Sequence, residues 1–182
     1  REAAAQGDVK AQYTLGVMYD ERGRCRGKGV KQSHSEAVRF YRMAAEQGHV
    51  RAADNYGLLL FQRGAREEAM PYVTAAARRG DPRAQYLLGI AHFNGDLAEK
   101  DWRRAYALLT LANSTGLPQA RAAIAQMDEY ISLEERQEAQ SLASTLKAEA
   151  EAARARELAA VDLALGTDNP SVASTPSRPS KP

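Results

Sequence analysis

An all-α, right-handed superhelical solenoid of antiparallel helix pairs is the fold class this sequence predicts, on three observations. Four glycines, Gly7, Gly48, Gly80 and Gly116, open four matching segments, GDVKAQYTLG, GHVRAADNYG, GDPRAQYLLG and GLPQARAAIA. Their spacings of 41, 32 and 36 residues fall in the range of helix-pair arrays. A second block repeats in phase with the first: Ala37, Phe40, Tyr41 and Ala44 match Ala69, Tyr72, Val73 and Ala76, then Ala105, Leu108, Leu109 and Ala112.

Each repeat reads as two helices. The first carries apolar or small residues at positions such as Ala11, Leu15, Gly16 and Tyr19. The second carries its Ala–aromatic–Ala stripe at i, i+3, i+4 and i+7, one face of a helix. Helices are expected at about 9–20, 35–47, 50–62, 66–79, 82–93, 101–114 and 118–130. A mid-helix glycine costs about 1 kcal/mol, so its recurrence at Gly16, Gly57 and Gly89 implies that a neighbouring helix comes very close. Gly7, Gly48, Gly80 and Gly116 suit left-handed helix ends, with Asp8 and Asp81 as N-caps of the helices that follow. Pro71 falls in the second turn of its helix, where a kink is expected. SLEE, with Ser132 and Glu135, spells a capping box that opens a long helix reaching about Leu163. That helix has a thin apolar stripe beyond Leu146, so its distal half reads as a solvated projection or a packing surface. From Gly166 the chain turns to alternating Pro and Ser, a composition that cannot bury a core. The domain reading is therefore a solenoid over 1–146, a helical extension over 147–165 and a disordered tail over 166–182.

Composition narrows the function classes. A formal net charge of +2 gives no footprint for nucleic acid, and no apolar run approaches the roughly 20 residues of a membrane span. Cys25 is the sole cysteine, so no intrachain disulfide forms. Beginning at Arg1 within what reads as the end of a repeat (REAAAQG), the chain is expected to be a fragment, which leaves its compartment open.

The pattern A-x-x-x-L-G-x-x-Y, a G-x-G-V loop and A-x-x-F-Y-x-x-A-A-x-x-G resembles the Sel-one-like repeat family of bacterial type, solenoid relatives of the tetratricopeptide repeat. It stands here as AQYTLGVMY at 11–19, GKGV at 27–30 and AVRFYRMAAEQG at 37–48. A third copy keeps AQYLLG and AYALLTLANSTG, whereas the second lacks the loop and has Tyr56 where leucine is usual. The segment LPQARAAIAQMDEYISLEERQEAQSLA is similar to the closing helix pair of bacterial members. The resemblance covers about 1–146 and implies a non-catalytic scaffold or adaptor that binds a protein or peptide.

In the related tetratricopeptide arrays the first helices of successive repeats line a concave groove. Carried over residue by residue, that groove comprises Lys10, Arg51 and Arg83 in one row, Tyr13, Asp54 and Tyr86 in a second, and Val17, Leu58 and Ile90 in a third. Cations beside tyrosines and exposed aliphatics, Leu58 and Ile90 among them, suit a peptide with acidic groups. Other constellations are weaker. Arg22, Arg24, Arg26, Lys28 and Lys31 surround Cys25 in a loop better read as a solvated turn. Ser144 and Lys147 spell S-x-x-K, the nucleophile motif of serine penicillin-recognising enzymes, without S-D-N or K-T-G companions. A cell-wall or β-lactam-directed hydrolase is thus an alternative class, and a purely structural or oligomerising array a third. His34, His49 and His92 lack metal-ligand spacing, and neither a cofactor nor a metal is expected. Trp102 reads as an inter-helix packing residue.

Overall fold

The computed structural model describes residues 1–20 and 33–166, so the loop around Cys25 and the chain beyond Gly166 lie outside the described residues. Among these residues the chain forms α1 (Glu2–Ala5), α2 (Val9–Tyr19), α3 (His34–Glu46), α4 (Val50–Gln62), α5 (Arg66–Arg78), α6 (Pro82–Asn94), α7 (Trp102–Ser114), α8 (Pro118–Asp128) and α9 (Leu133–Gly166). No strand occurs among them. Successive helices pack on one another from α2 to α8, and α9 then lies along α7 and reaches α5. The product is a one-dimensional stack, an α-solenoid.

The sequence signals act locally as expected. Gly7, Gly48, Gly80 and Gly116 have φ of 89°, 86°, 91° and 87°, the left-handed region. The Asp8 carboxylate accepts from the Ala11 N–H at 2.9 Å, and Asp81 accepts from the N–H groups of Arg83 and Ala84. The capping box closes in both directions: the Glu135 N–H donates to Ser132 Oγ at 3.2 Å, and the Ser132 N–H donates to Glu135 Oε2 at 2.7 Å. Pro71 sits exposed inside α5, which runs unbroken from Arg66 to Arg78. Lacking an N–H, it leaves the Glu67 carbonyl without its helical donor.

The second-helix stripe is the core. Ala37, Tyr41, Ala44, Ala69, Val73, Ala76, Ala105, Leu109 and Ala112 are all buried. Against this stripe come the first-helix glycines. A Cβ on Gly16 would stand 2.5 Å from the Tyr41 ring, one on Gly57 2.5 Å from Tyr72 Cβ, and one on Gly89 3.1 Å from Leu109. Tyrosine hydroxyls then tie neighbouring helices together. Tyr41 donates to Asp20 at 3.2 Å and Tyr106 to Asp128 at 3.0 Å. Trp102 packs as expected, its ring stacked on Phe93 at 6.0 Å between centroids.

One recurrent polar device went unread in the sequence. Gln12 and Gln85 occupy the same place in AQYTLG and AQYLLG, and both are buried. Each side-chain amide donates to a carbonyl eight residues back, Ala4 at 3.2 Å and Ala77 at 3.4 Å. These carbonyls lie at the end of the preceding helix, where intrahelical donors run out. The identical AQY triplet in two copies was the available signal.

Candidate functional site

The inter-repeat turns and the long C-terminal helix together form a heavily charged concavity. A groove of about 870 Å³ runs between the start of α4, the Gly80 turn into α6, and the distal part of α9. Glycine makes this approach possible: Ala150 and Arg154 of α9 come so near Gly80 that a Cβ there would stand 3.3 Å from either side chain. Ala150 is accordingly buried. The distal half of α9 is therefore seated on the array at this point.

Four of the nine residues expected on a concave wall of first helices line this groove at the turns: Tyr13, Arg51, Asp54 and Arg83. Tyr13 stacks on His49, with centroids 4.4 Å apart and rings 21° from parallel. Asp54 forms an ion pair with Arg79, whose Nε stands 3.9 Å from the Glu157 carboxylate on α9. Arg83 donates to Asp81 at 2.8 Å and to Asn55 at 3.5 Å. One network thus joins α4, α5, α6 and α9. Burial pushes the Asp54 carboxyl above its ordinary range, and the pull of Arg79 and then Arg83 offsets only part of that rise.

The other five residues lie elsewhere. Lys10 is exposed on α2, outside the groove lining. Val17 is half-buried against the main core. Tyr86 and Ile90 are half-buried against the cluster built on Tyr106, Leu109 and Met127. Leu58 corrects an expectation: far from being an exposed aliphatic, it is 4% exposed, within a run of buried residues from Tyr56 to Leu60. The reason is that α4 is covered on more than one side, by α3, α5 and α6. A row placed by position number alone does not register how deeply each first helix is enclosed.

His49 is a site residue the sequence did not single out. Its Nδ1 accepts from the Ala52 N–H at 3.1 Å and so caps α4. That acceptor exists only on neutral imidazole. Burial first, then Arg51, holds the His49 pKa below its ordinary value. A depressed histidine pKa favours the fold above the ordinary value, and that contribution is lost as pH falls through it. His49→Asn keeps a capping oxygen without titrating. Thermal melts of the wild type should therefore lose stability relative to His49→Asn between about pH 7 and 5. Parallel pH profiles for the two proteins would contradict the assignment.

The remaining histidines have ordinary settings: His34 begins α3, and His92 Nδ1 lies 2.7 Å from the Glu99 carbonyl. Ser144 and Lys147 are both exposed on α9. A second cleft of about 830 Å³ separates α5 from α9, floored by Met70, Leu108 and Leu146.

What these features define is a helix-pair array that presents a charged groove along its turns. The Sel1 repeat profile matches residues 9–49 and 82–116 of the chain. A protective antigen of uropathogenic Escherichia coli strains that displays an SLR fold superimposes with a TM-score of 0.57 at 21% identity, covering 98% of this chain and 44% of its own. A Sel1 repeat protein from Oxalobacter formigenes superimposes with a TM-score of 0.53 at 28% identity, covering 77% of this chain and 43% of its own. An uncharacterised protein of Neisseria meningitidis serogroup B is 31% identical over 105 residues, which are 58% of this chain and 21% of that protein. The chain thus spans about a fifth of the meningococcal relative and less than half of either solved chain.

Proposed function

We propose that this chain is a non-catalytic protein-interaction module that holds a segment of another protein in the groove along its inter-repeat turns. The observation that carries this reading is the network of Asp54, Arg79, Arg83 and Glu157, which fixes four helices around one concavity. A groove set in advance loses little entropy on binding. Members of the Sel1 repeat family commonly serve as interaction scaffolds, which agrees with this assignment.

Photo-crosslinking tests it. With p-benzoylphenylalanine in place of the exposed Arg51, irradiation in an extract of the source cells should give discrete protein adducts. The same probe at Gln126, exposed on α8, should give none. Equal labelling from both positions would remove the groove from the account.

A further inference from the structure

Charge and exposure at the groove are unevenly distributed, and the imbalance specifies a ligand. Asp54 is engaged by Arg79, and Asp81 by Arg83. Glu157 faces Arg79. Two guanidiniums on the lining, Arg51 and Arg154, have no carboxylate partner among the described residues, Arg154 donating only to the Ala150 carbonyl of its own helix at 3.5 Å. The N-terminal ends of α4 and α6 open onto the same space and add positive potential. On the rim contributed by α9, Leu158 and Val161 stand one helical turn apart and are 68% and 54% exposed.

We infer that the occupant is an acidic segment of a partner protein, with an aliphatic side chain seated on Leu158 and Val161 and flanking carboxylates on Arg51 and Arg154. The inference rests on the groove assignment proposed above and adds the chemistry of the partner. It also gives α9 a part in recognition: its distal turns, seated at Gly80 by the buried Ala150, supply an exposed apolar rim. Paired guanidiniums and carboxylates set orientation, and aliphatic contact supplies apolar burial.

Fluorescence anisotropy with two labelled peptides, Glu-Glu-Leu-Leu-Glu-Glu and Lys-Lys-Leu-Leu-Lys-Lys, tests this. The acidic peptide should bind and the basic one should not. Arg51→Glu with Arg154→Glu should weaken binding about tenfold or more. Leu158→Ser with Val161→Ser should weaken it roughly fivefold. All four side chains are exposed, so circular dichroism should stay unchanged in both variants. Preference for the basic peptide, or indifference to both double variants, overturns the inference. No binding of the acidic peptide while adducts still form from position 51 overturns the partner chemistry and leaves the groove. Loss of both removes the groove as well. A concentration-dependent dimer in sedimentation, abolished by Leu158→Ser with Val161→Ser, would show that a second copy covers this rim and would likewise overturn it.

Discussion

Gly57→Ala should be among the most destabilising single-methyl additions to this chain. An alanine in a helix interior is ordinarily better than glycine by about 1 kcal/mol. Here the new Cβ would lie 2.5 Å from Tyr72 Cβ and 3.4 Å from the backbone of α5. Tyr72 Cβ is fixed to its own backbone and cannot rotate away, so α4 and α5 must separate. Overpacking of this kind costs about 1–3 kcal/mol, and a net loss near 2 kcal/mol lowers the thermal midpoint of a chain this size by roughly 4–8 °C. Gly48→Ala is the control. Nothing stands within 4 Å of its Cβ, and the cost comes only from φ of 86°. Circular dichroism melts should rank Gly57→Ala below Gly48→Ala, and the reverse order would contradict close packing as the reason for the first-helix glycines.

Arg79→Ala is expected to have the second large effect. It strips the largely buried Asp54 carboxylate of its partner and cuts the tie to Glu157 on α9. Orphaning one member of a fully buried pair costs about 3–5 kcal/mol, and partial solvent access here reduces that to about 2 kcal/mol. Much of that cost is desolvation of an unpaired charge, so Asp54→Asn in the Arg79→Ala background should restore part of it. A double-mutant cycle by denaturant unfolding measures the coupling. Additive losses would mean that the pair contributes nothing beyond its separate side chains.

The fold was legible because its signals are local and repeated. Asp8, Asp81 and the Ser132–Glu135 pair cap the helices they were expected to cap, and Ala37–Tyr41–Ala44 with its counterparts forms the core. The groove was legible only in part. Of the residues named for a concave wall of first helices, Tyr13, Arg51, Asp54 and Arg83 lie together in this groove, near the turns that the repeat itself positions. Leu58 was misjudged because enclosure depends on how many neighbours a helix has, which no single repeat encodes. The wall made by Arg154, Glu157, Leu158 and Val161 was out of reach for a related reason. Its contact with Gly80 spans some seventy residues of sequence, and the thin apolar stripe of α9 carries no mark of the destination. His49 gives only a weak capping signal in sequence, because a histidine N-cap is rarer than Ser, Thr, Asp or Asn.

Cross-link yield from position 51, measured in the otherwise unchanged chain and again with Tyr13→Ala and Arg83→Ala, puts the groove to its most direct trial. Discrete protein adducts should form and should disappear in the altered chain while helicity is kept. Adducts of undiminished yield after both substitutions would contradict the groove assignment.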